Sequence, residues 1–435
     1  MIIDTKKIIS ILPKNYRWFD VLSVEGSSSS VSFSNNRLHS VNERQSSGIG
    51  IRVNANKRTG FSYTNDKDDI QNTVKRAVDF IQYGDIEDFD LPGTVADYNE
   101  PYNENIKDYS SAEEIRKGHE IISAIREKYE DANVSVKIGK SESLTELINS
   151  AEFHGKYRNS SYSLSASVTL IMKNDSKIDL WESFSAIAPK DYGDIPEKII
   201  KRIRLAETER KTESGMLPVI FTPRAFAQLV GIVLSGLEGR ALYKGISPFV
   251  GKLNTKMFNE KFTLIDDPTQ IDSPYSFPFD DEGIVGRKKS IIEKGIPLRC
   301  ITDLKYAALL GIEASGNASR GYSSLPSASF AGISINAGAT SFGDILQNVK
   351  HGILASQFIG LGQSNTVTGD FSANLDLAYV IENGELTGRV KDCMIAGNIF
   401  NLLNNDFMLS IEREQIGGSL MPYCACPEIR FISKN

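Results

Sequence analysis

Cysteine and histidine are both scarce. Only Cys300, Cys393, Cys424 and Cys426 occur in 435 residues, too few for a disulfide scaffold and in keeping with a reducing compartment. The four histidines, His39, His119, His154 and His351, form no local ligand pair. His119-Glu120 opens like a zinc-protease helix, but Ser123 stands where HExxH needs its second histidine, and Ala124 where HExxxH needs it. His119 therefore reads as one residue of an amphipathic helix. No GxxxxGK[ST] or GxSxG motif occurs. Gly48-Ile49-Gly50 and Gly360-Leu361-Gly362 lack the strand–GxGxxG–helix context of a nucleotide fold. Long apolar runs are also missing. The longest, Phe226–Leu237, is interrupted by Gln228, Gly231 and Ser235, so no transmembrane helix is expected. The opening MIIDTKKIISILPKNYRW is broken by charges and makes a poor signal peptide; the expected location is the cytoplasm. There is no excess of base: Lys plus Arg number 49 and Asp plus Glu 55, a net charge of −6. That balance carries no general footprint for nucleic acid.

What remains is an ordinary globular composition, 40% hydrophobic and 24% charged. The length suggests about two or three domains. Val31, Phe33, Leu38 and Val41, then Ile49, Ile51, Val53, Phe61 and Tyr63, alternate around turns at Asn35-Asn36 and Asn54-Ala55-Asn56, as strands do. From Asp66 the period becomes helical, with Ile70, Val74, Ala77, Val78 and Ile81 on one face. The polar, Pro- and Gly-containing stretch from Tyr83 to Tyr109 is a surface connection. Ser110 and Glu113 form a capping-box pattern for a second helix. Strands follow at Val134–Ile138, Ser161–Met172 and Ile178–Ile187, with a turn at Asn174-Asp175, and Pro196 marks the first turn of a third helix.

A boundary is expected near Lys211–Gly215, dividing an N-terminal lobe (1–210) from a β-rich C-terminal lobe (211–435). Leu217–Phe221 reads as a buried strand, and Thr222-Pro223 as the cap and first residue of a helix. Glu313–Gly343, rich in Ser, Gly and Ala, reads as a mobile or binding loop. Phe371–Val390 is a hairpin around Glu382-Asn383-Gly384, Ile395–Leu403 a short helix and Glu428–Ile432 a strand. The fold class is α+β with two lobes.

Three clusters could carry chemistry. Cys424-Ala425-Cys426 could touch one soft metal ion, and Cys393 and Cys300 could complete a four-thiolate set, but structural zinc prefers two to four residues between paired cysteines. Small residues on a strand are the plainer account. Asp266-Asp267, Asp280-Asp281-Glu282 and Asp303 could serve acid–base work or hold a hard cation; on local chemistry alone the plainer account is solvated charge, with Asp280-Asp281-Glu282-Gly283 as a tight loop. The basic run Lys198–Arg210 falls on the polar face of a helix, where solvation is expected.

The order of short blocks adds more. Val31–Thr64 (VSFSNNRLHSVNERQSSGIGIRVNANKRTGFSYT) resembles the opening of the TldD/PmbA family, the "modulator of DNA gyrase" proteins. FDDEG at Phe279–Gly283, IIEKG at Ile291–Gly295, ASGNAS at Ala314–Ser319, TGDFS at Thr368–Ser372, IENGE at Ile381–Glu385 and IAGN at Ile395–Asn398 follow in that family's order. The resemblance marks Asp280, Asp281, Glu282, Gly316, Asn317, Asp370 and Phe371 as family-motif or substrate-channel residues.

In the TldD branch a helix carries HExxxH, whose histidines bind zinc and whose glutamate acts as base. Anchored on Gly236–Gly239, those positions fall here on Val230, Gly231 and Ser235, and the tail segment Ser410–Gln415 offers only Glu412 and Glu414 where a further ligand would lie. The chain is therefore similar to the PmbA/TldE branch. The resemblance implies a subunit without catalytic residues and without bound cofactor. Zinc is expected in a TldD-like partner, in a heterodimer acting on peptides or unfolded proteins. A homodimer remains open, and so does metal binding at Cys393, Cys424 or Cys426. Nucleic acid and membrane are not expected partners. An extended peptide could add to a sheet edge of the second lobe, with Ser315–Gly343 as a flexible rim. Two other readings stand beside this one: an autonomous metallopeptidase with a non-standard site at Cys393, Asp280, Asp281 and Glu282, and a non-proteolytic protein-binding modulator of a gyrase or toxin system.

Overall fold

The computed structural model describes residues 8–93, 98–107, 109–172, 177–361 and 365–434, apart from the side chain of Lys67. The expected turn at Asn174-Asp175, part of the 83–109 connection, and Gly362 lie outside them.

The first lobe is built on a six-stranded antiparallel sheet of β1 (Tyr16–Ser34), β2 (Arg37–Ala55), β3 (Arg58–Thr64), β4 (Asn133–Asn149), β5 (His154–Ile171) and β6 (Lys177–Ala186), in the order β3-β2-β1-β4-β5-β6. Asn35 and Asn36 (φ 51° and 64°) turn β1 into β2, and Asn56 and Lys57 (54° and 63°) turn β2 into β3. Paired left-handed residues match the twist of a two-residue hairpin. The second turn lies later than Asn54-Ala55-Asn56, because Asn54 and Ala55 still pair with Thr59 and Arg58.

Three helices cover this sheet: α1 (Ile70–Phe80), α2 (Ser111–Lys128) and α3 (Ile195–Ala206). Val74 and Ala77 of α1 bury Phe19, Val21, Ile49 and Ile51, while Ile121, Ile122 and Ile125 of α2 bury Val31 and Phe33. The Ser110–Glu113 capping box is formed. Between α1 and α2 the sheet is open, and Glu25, Ser27, Gln45, Ser47 and Glu142 line the gap. The first fifteen residues of β1 are illegible for two reasons: Trp18–Ser23 are buried on both faces, and Glu25–Ser30 border this gap, so neither stretch alternates.

The second lobe contains β7 (Gly215–Phe221), β8 (Leu264–Asp266), β9 (Lys289–Glu293), β10 (Ile296–Pro297), β11 (Ala318–Ser319), β12 (Ser327–Ala328), β13 (Ile333–Ile335), β14 (His351–Ile359), β15 (Asp370–Glu382), β16 (Glu385–Val390), β17 (Cys393–Asn398), β18 (Met408–Ile416) and β19 (Ser419–Ser433). Pairings β7–β14, β14–β15, β15–β17, β17–β19 and β19–β7 close into a ring. The helices are α4 (Pro223–Gly236), α5 (Gly239–Tyr243), α6 (Leu304–Leu310), α7 (Phe342–Gln347) and α8 (Ile399–Asn404). The expected helix over Ile395–Leu403 is shorter: its first residues continue β17 against β15 and β19, and only Asn398 caps the turn. The short α6 and α7 have too few turns to show a period. Asn383 and Gly384 (φ 51° and 82°) make the expected hairpin turn.

Neighbouring residues of the ring strands serve two different cores. Val219, Phe221, Ile353 and Ala355 face α4 on one side, while Ile220, Leu354, Tyr379 and Ile381 join the cluster of α2 and α3 on the other. Burial on both faces explains the unbroken apolar run from Leu377 to Ile381. Helices α2 and α3 are thus packed between the sheet of the first lobe and the ring, whereas α1 packs on the sheet alone.

On α2, this layer encloses Glu114, which is fully buried, with neither carboxylate oxygen hydrogen-bonded. The nearby Lys140 and Lys117 donate instead to backbone carbonyls of Ile106, Tyr109 and Lys190. Burial raises the Glu114 carboxyl to about 7 against the partial opposition of both lysines. A carboxyl raised on folding contributes stability below its unfolded value that is lost as pH climbs toward 7. Glu114→Gln should therefore match the parent near pH 4.5 and exceed it by roughly 2–3 kcal/mol at pH 8, read from urea unfolding. A difference that does not vary with pH would contradict this account.

Candidate functional site

Helix α4 follows β7 directly. The Thr222 hydroxyl accepts from Ala225 N at its start and Pro223 occupies the first turn. Phe226, Leu229, Val230 and Val233 are sealed in the core. The opposite face is open: Gln228, Gly231, Ile232 and Ser235 line a cavity of about 450 Å³ with Phe358, Leu361 and Thr366. The three positions matched to a zinc motif therefore divide. Val230 is enclosed in hydrocarbon, while Gly231 and Ser235 reach the cavity. Ser235 Oγ already donates to Ile232 O at 2.8 Å. The remaining polar groups of the lining are a neutral amide and a hydroxyl. This set does not fit a zinc ion, which takes imidazole, thiolate or carboxylate ligands. Among the described residues no group of three or more His, Cys, Asp and Glu is placed to hold a metal ion.

The acidic motif Asp280-Asp281-Glu282 lies elsewhere, at the seam between the lobes, and it is not solvated as expected. Asp280 and Glu282 are 3% and 2% exposed. The reason is a partner in the other lobe. Arg52, opposite Asp20 in the β1–β2 register, donates through Nε to both Asp20 oxygens (3.2 and 3.0 Å), through Nη2 to Asp20 again, and through Nη1 to Glu282 Oε1 at 2.8 Å. Arg320 pairs with Asp20 at 3.1 Å and donates through its backbone N–H to Asp281 Oδ2 at 2.7 Å. The second Glu282 oxygen accepts from Leu304 N at 2.7 Å, at the start of α6. Asp280 accepts from the backbone N–H groups of Glu282, Ile284 and Ala318.

Asp20 and Glu282 thus share the Arg52 guanidinium, Asp20 also pairs with Arg320, and Asp280 and Asp281 are held by backbone N–H groups. Burial, with Glu282 alongside, raises Asp280 to about 7 against those three N–H bonds, and burial raises Asp281 to about 6. Asp20 is lowered, because Arg320 and Arg52 outweigh its desolvation. Shifted carboxyls can mark acid–base chemistry. Here burial to a few per cent closes Asp280 to substrate, the half-buried Asp281 is held by the Arg320 N–H, and the arrangement serves to join the lobes. Asp303 is committed too, as the cap of α6 accepting from Tyr306 N at 2.8 Å. Asp20, Arg52 and Arg320 carry no motif. The one signal was a charge, Arg52, within the apolar alternation of Ile49, Ile51 and Val53.

The glycine pair of β2 belongs to the same seam. A side chain on Gly48 would meet the Tyr322 ring at 2.4 Å, and one on Gly50 the Tyr322 carbonyl oxygen at 2.2 Å. The pair lets the 320–322 segment cross the sheet and cradles no phosphate. Gly316, at φ 71°, turns the chain beside Ile284. Asn317 donates from Nδ2 to Asp266 Oδ2 at 2.7 Å and to Ser329 O at 3.0 Å. Asp370 and Phe371 lie apart from these, at the start of β15. Asp370 accepts from Asn398 Nδ2 and Thr368 Oγ1, bracing the turn that supplies Thr366 to the α4 cavity, and Phe371 fills the ring core.

The structure also separates Cys393, on β17, from Asp280–Glu282. Cys424 and Cys426 Sγ are 3.9 Å apart inside the ring, and burial pushes the Cys424 thiol well up. In the tail, Glu412 accepts from Phe342 N at 2.8 Å and Glu414 from the Tyr423 hydroxyl at 2.9 Å.

Comparison with known proteins gives two family-model matches: residues 214–433 to the PmbA/TldA metallopeptidase C-terminal domain, and residues 19–79 to PmbA/TldA metallopeptidase domain 1. An uncharacterized protein of Methanocaldococcus jannaschii is 27% identical over 425 residues, 96% of this chain and 97% of its own length. A protein named metalloprotease from Archaeoglobus fulgidus is 26% identical over 404 residues, 89% and 91% of the two chains. The crystal structure of TldE from Thermococcus kodakarensis superposes with a TM-score of 0.91 at 23% identity, covering 99% of this chain and 100% of that one.

The seam generates a direct test. Arg52→Met strands Asp20 and Glu282 without their shared counter-charge, and should cost about 3–5 kcal/mol of stability in urea unfolding. A loss under about 1 kcal/mol would show that Arg52 does not hold the lobes together.

Proposed function

Because the chain belongs to the PmbA/TldD family of metallopeptidases, we propose that it is the non-catalytic, metal-free subunit of a cytoplasmic two-subunit metalloprotease acting on peptides or unfolded proteins. One observation carries this reading. The open face of α4, where the family resemblance puts the zinc motif, presents Gln228, Gly231, Ile232 and Ser235. Amide, hydrogen, hydrocarbon and a hydroxyl bonded to its own helix supply neither a zinc ligand nor a general base. The structural likeness to a TldE supports the same assignment, and relatives named metalloprotease support the chemistry of the complex.

In such a complex this chain would contribute shape. The cavity on α4 is walled by Phe358, Leu361 and Ile232, with amide and hydroxyl groups of Gln228 and Thr366 at its polar side. These groups can seat a side chain or a backbone segment of a peptide and keep water from it. Helix α4 is held for that purpose by its own sealed face, so the cavity wall does not shift when a substrate presses on it.

The test is cleavage of an unfolded casein by the purified chain with added zinc, alone and with a TldD-like partner. The expected result is no zinc-dependent cleavage alone and cleavage when the partner is present. Zinc-dependent cleavage by the chain alone would overturn the reading.

A further inference from the structure

A second cavity, of about 250 Å³, opens at the other end of α4, where α3 of the first lobe meets the ring. The basic run of α3 reaches it. Lys198, Lys201 and Arg202 line one wall, and Arg224, in the first turn of α4, lines another. Arg224 is 9% exposed, stacks over the Trp181 ring at 3.7 Å and donates to Trp181 O at 2.5 Å. Its guanidinium is therefore fixed in place.

Two acids also line the cavity, and both are engaged. Glu182 accepts from Arg202 Nη1 at 2.5 Å and Arg224 Nη2 at 3.0 Å. Glu414 accepts from the Tyr423 hydroxyl. Asp194 pairs with Lys198 at 3.2 Å, Glu412 accepts from Phe342 N beside the cavity, and Glu182 is shared by Arg202 and Arg224, so the cation of the lining left to a ligand is Lys201. Arg202 Nε is buried with no hydrogen-bond partner, an arrangement that leaves a donor of a charged group unsatisfied. Lys201 has no carboxylate partner among the described residues. The amino end of α4, capped by Thr222, faces the same cavity, and its dipole adds to the same field.

Thr222, Ser356 and Tyr379 add polar groups, and the rest of the wall is apolar. Phe342 and Tyr423 stack with centroids 4.1 Å apart, and Leu205 and Leu386 lie beside them. We propose that this cavity binds a small organic anion, a carboxylate or phosphate monoester carrying an apolar group. The charged head lies toward Lys201 and Arg202, and the apolar body against Phe342, Tyr423 and Leu386. A cationic ligand would be repelled by Lys201, and an ion without an apolar part would leave the aromatic wall unused. The inference goes beyond the subunit reading and does not rest on it: the cavity belongs to this chain alone and lies apart from the open face of α4.

The test is calorimetric titration of the full chain at low salt with phenylacetate, phenyl phosphate and benzylamine. Saturable binding of at least one of the two anions, and none of benzylamine, is expected. The tighter of the two assigns the head group as carboxylate or phosphate. Lys201→Glu, a change on an exposed helix surface, should weaken that binding about tenfold, as should Lys198→Glu made separately. No saturable binding of either anion overturns the proposal. So does an affinity unchanged in both variants, or benzylamine binding as tightly as the anions.

Discussion

The ion pair between Arg52 and Asp20, extended to Glu282, is the contact on which the arrangement of the molecule depends. Asp20 and Arg52 face each other across β1 and β2, and Glu282 arrives from the other lobe. Removing three such groups from water is costly, and the cost is offset only when each finds its counter-charge. Two lobes docked a few ångströms out of register would leave buried charges unpaired. The pair therefore selects one relative placement more than it adds stability. The same placement lays Tyr322 on Gly48 and Gly50, where any larger residue would hold the surfaces apart.

Helix α4 is the second organising element. One side is sealed in hydrocarbon, which makes the helix rigid. Its other side walls one cavity, and its first turn walls another. A single packed rod thus places a neutral, weakly polar cavity and a cationic cavity at a constant separation. Their chemistries differ because their neighbours differ. Around Gly231 and Ser235 the ring contributes Phe358 and Leu361, whereas around Arg224 the first lobe contributes Glu182, Lys201 and Arg202. The seam between lobes is where this protein concentrates charge.

Particular elements show how far the chain could be read without its structure. The caps at Ser110 and Thr222, the Asn383-Gly384 turn and the amphipathic faces of α1, α2 and α3 were all legible, because each depends on residues within one or two turns of one another. The first fifteen residues of β1 were not, since Trp18–Ser23 are buried on both faces and Ser27–Ser30 border an open gap, and neither stretch alternates. The Asp280–Glu282 motif was visible as chemistry, but its burial was not. A carboxylate reads as solvated until its counter-ion is known, and Arg52 lies 230 residues away in the chain. The basic face of α3 misled in the same way: Arg202 is an ion-paired wall of a cavity, because Glu182 and Arg224 are brought to it by two other elements.

The amino-acid order by itself determined the α+β class, the local caps and turns, the family resemblance and the residue types at the positions that the resemblance matches to a zinc motif, all of which reside in short stretches of chain. Tertiary structure alone decided which of Val230, Gly231 and Ser235 meets a cavity, that the acidic motif is a clamp between lobes, and that the cations of α3 and α4 converge. Those facts depend on long-range docking, where burial and counter-charge come from residues distant in sequence, and no local pattern encodes them.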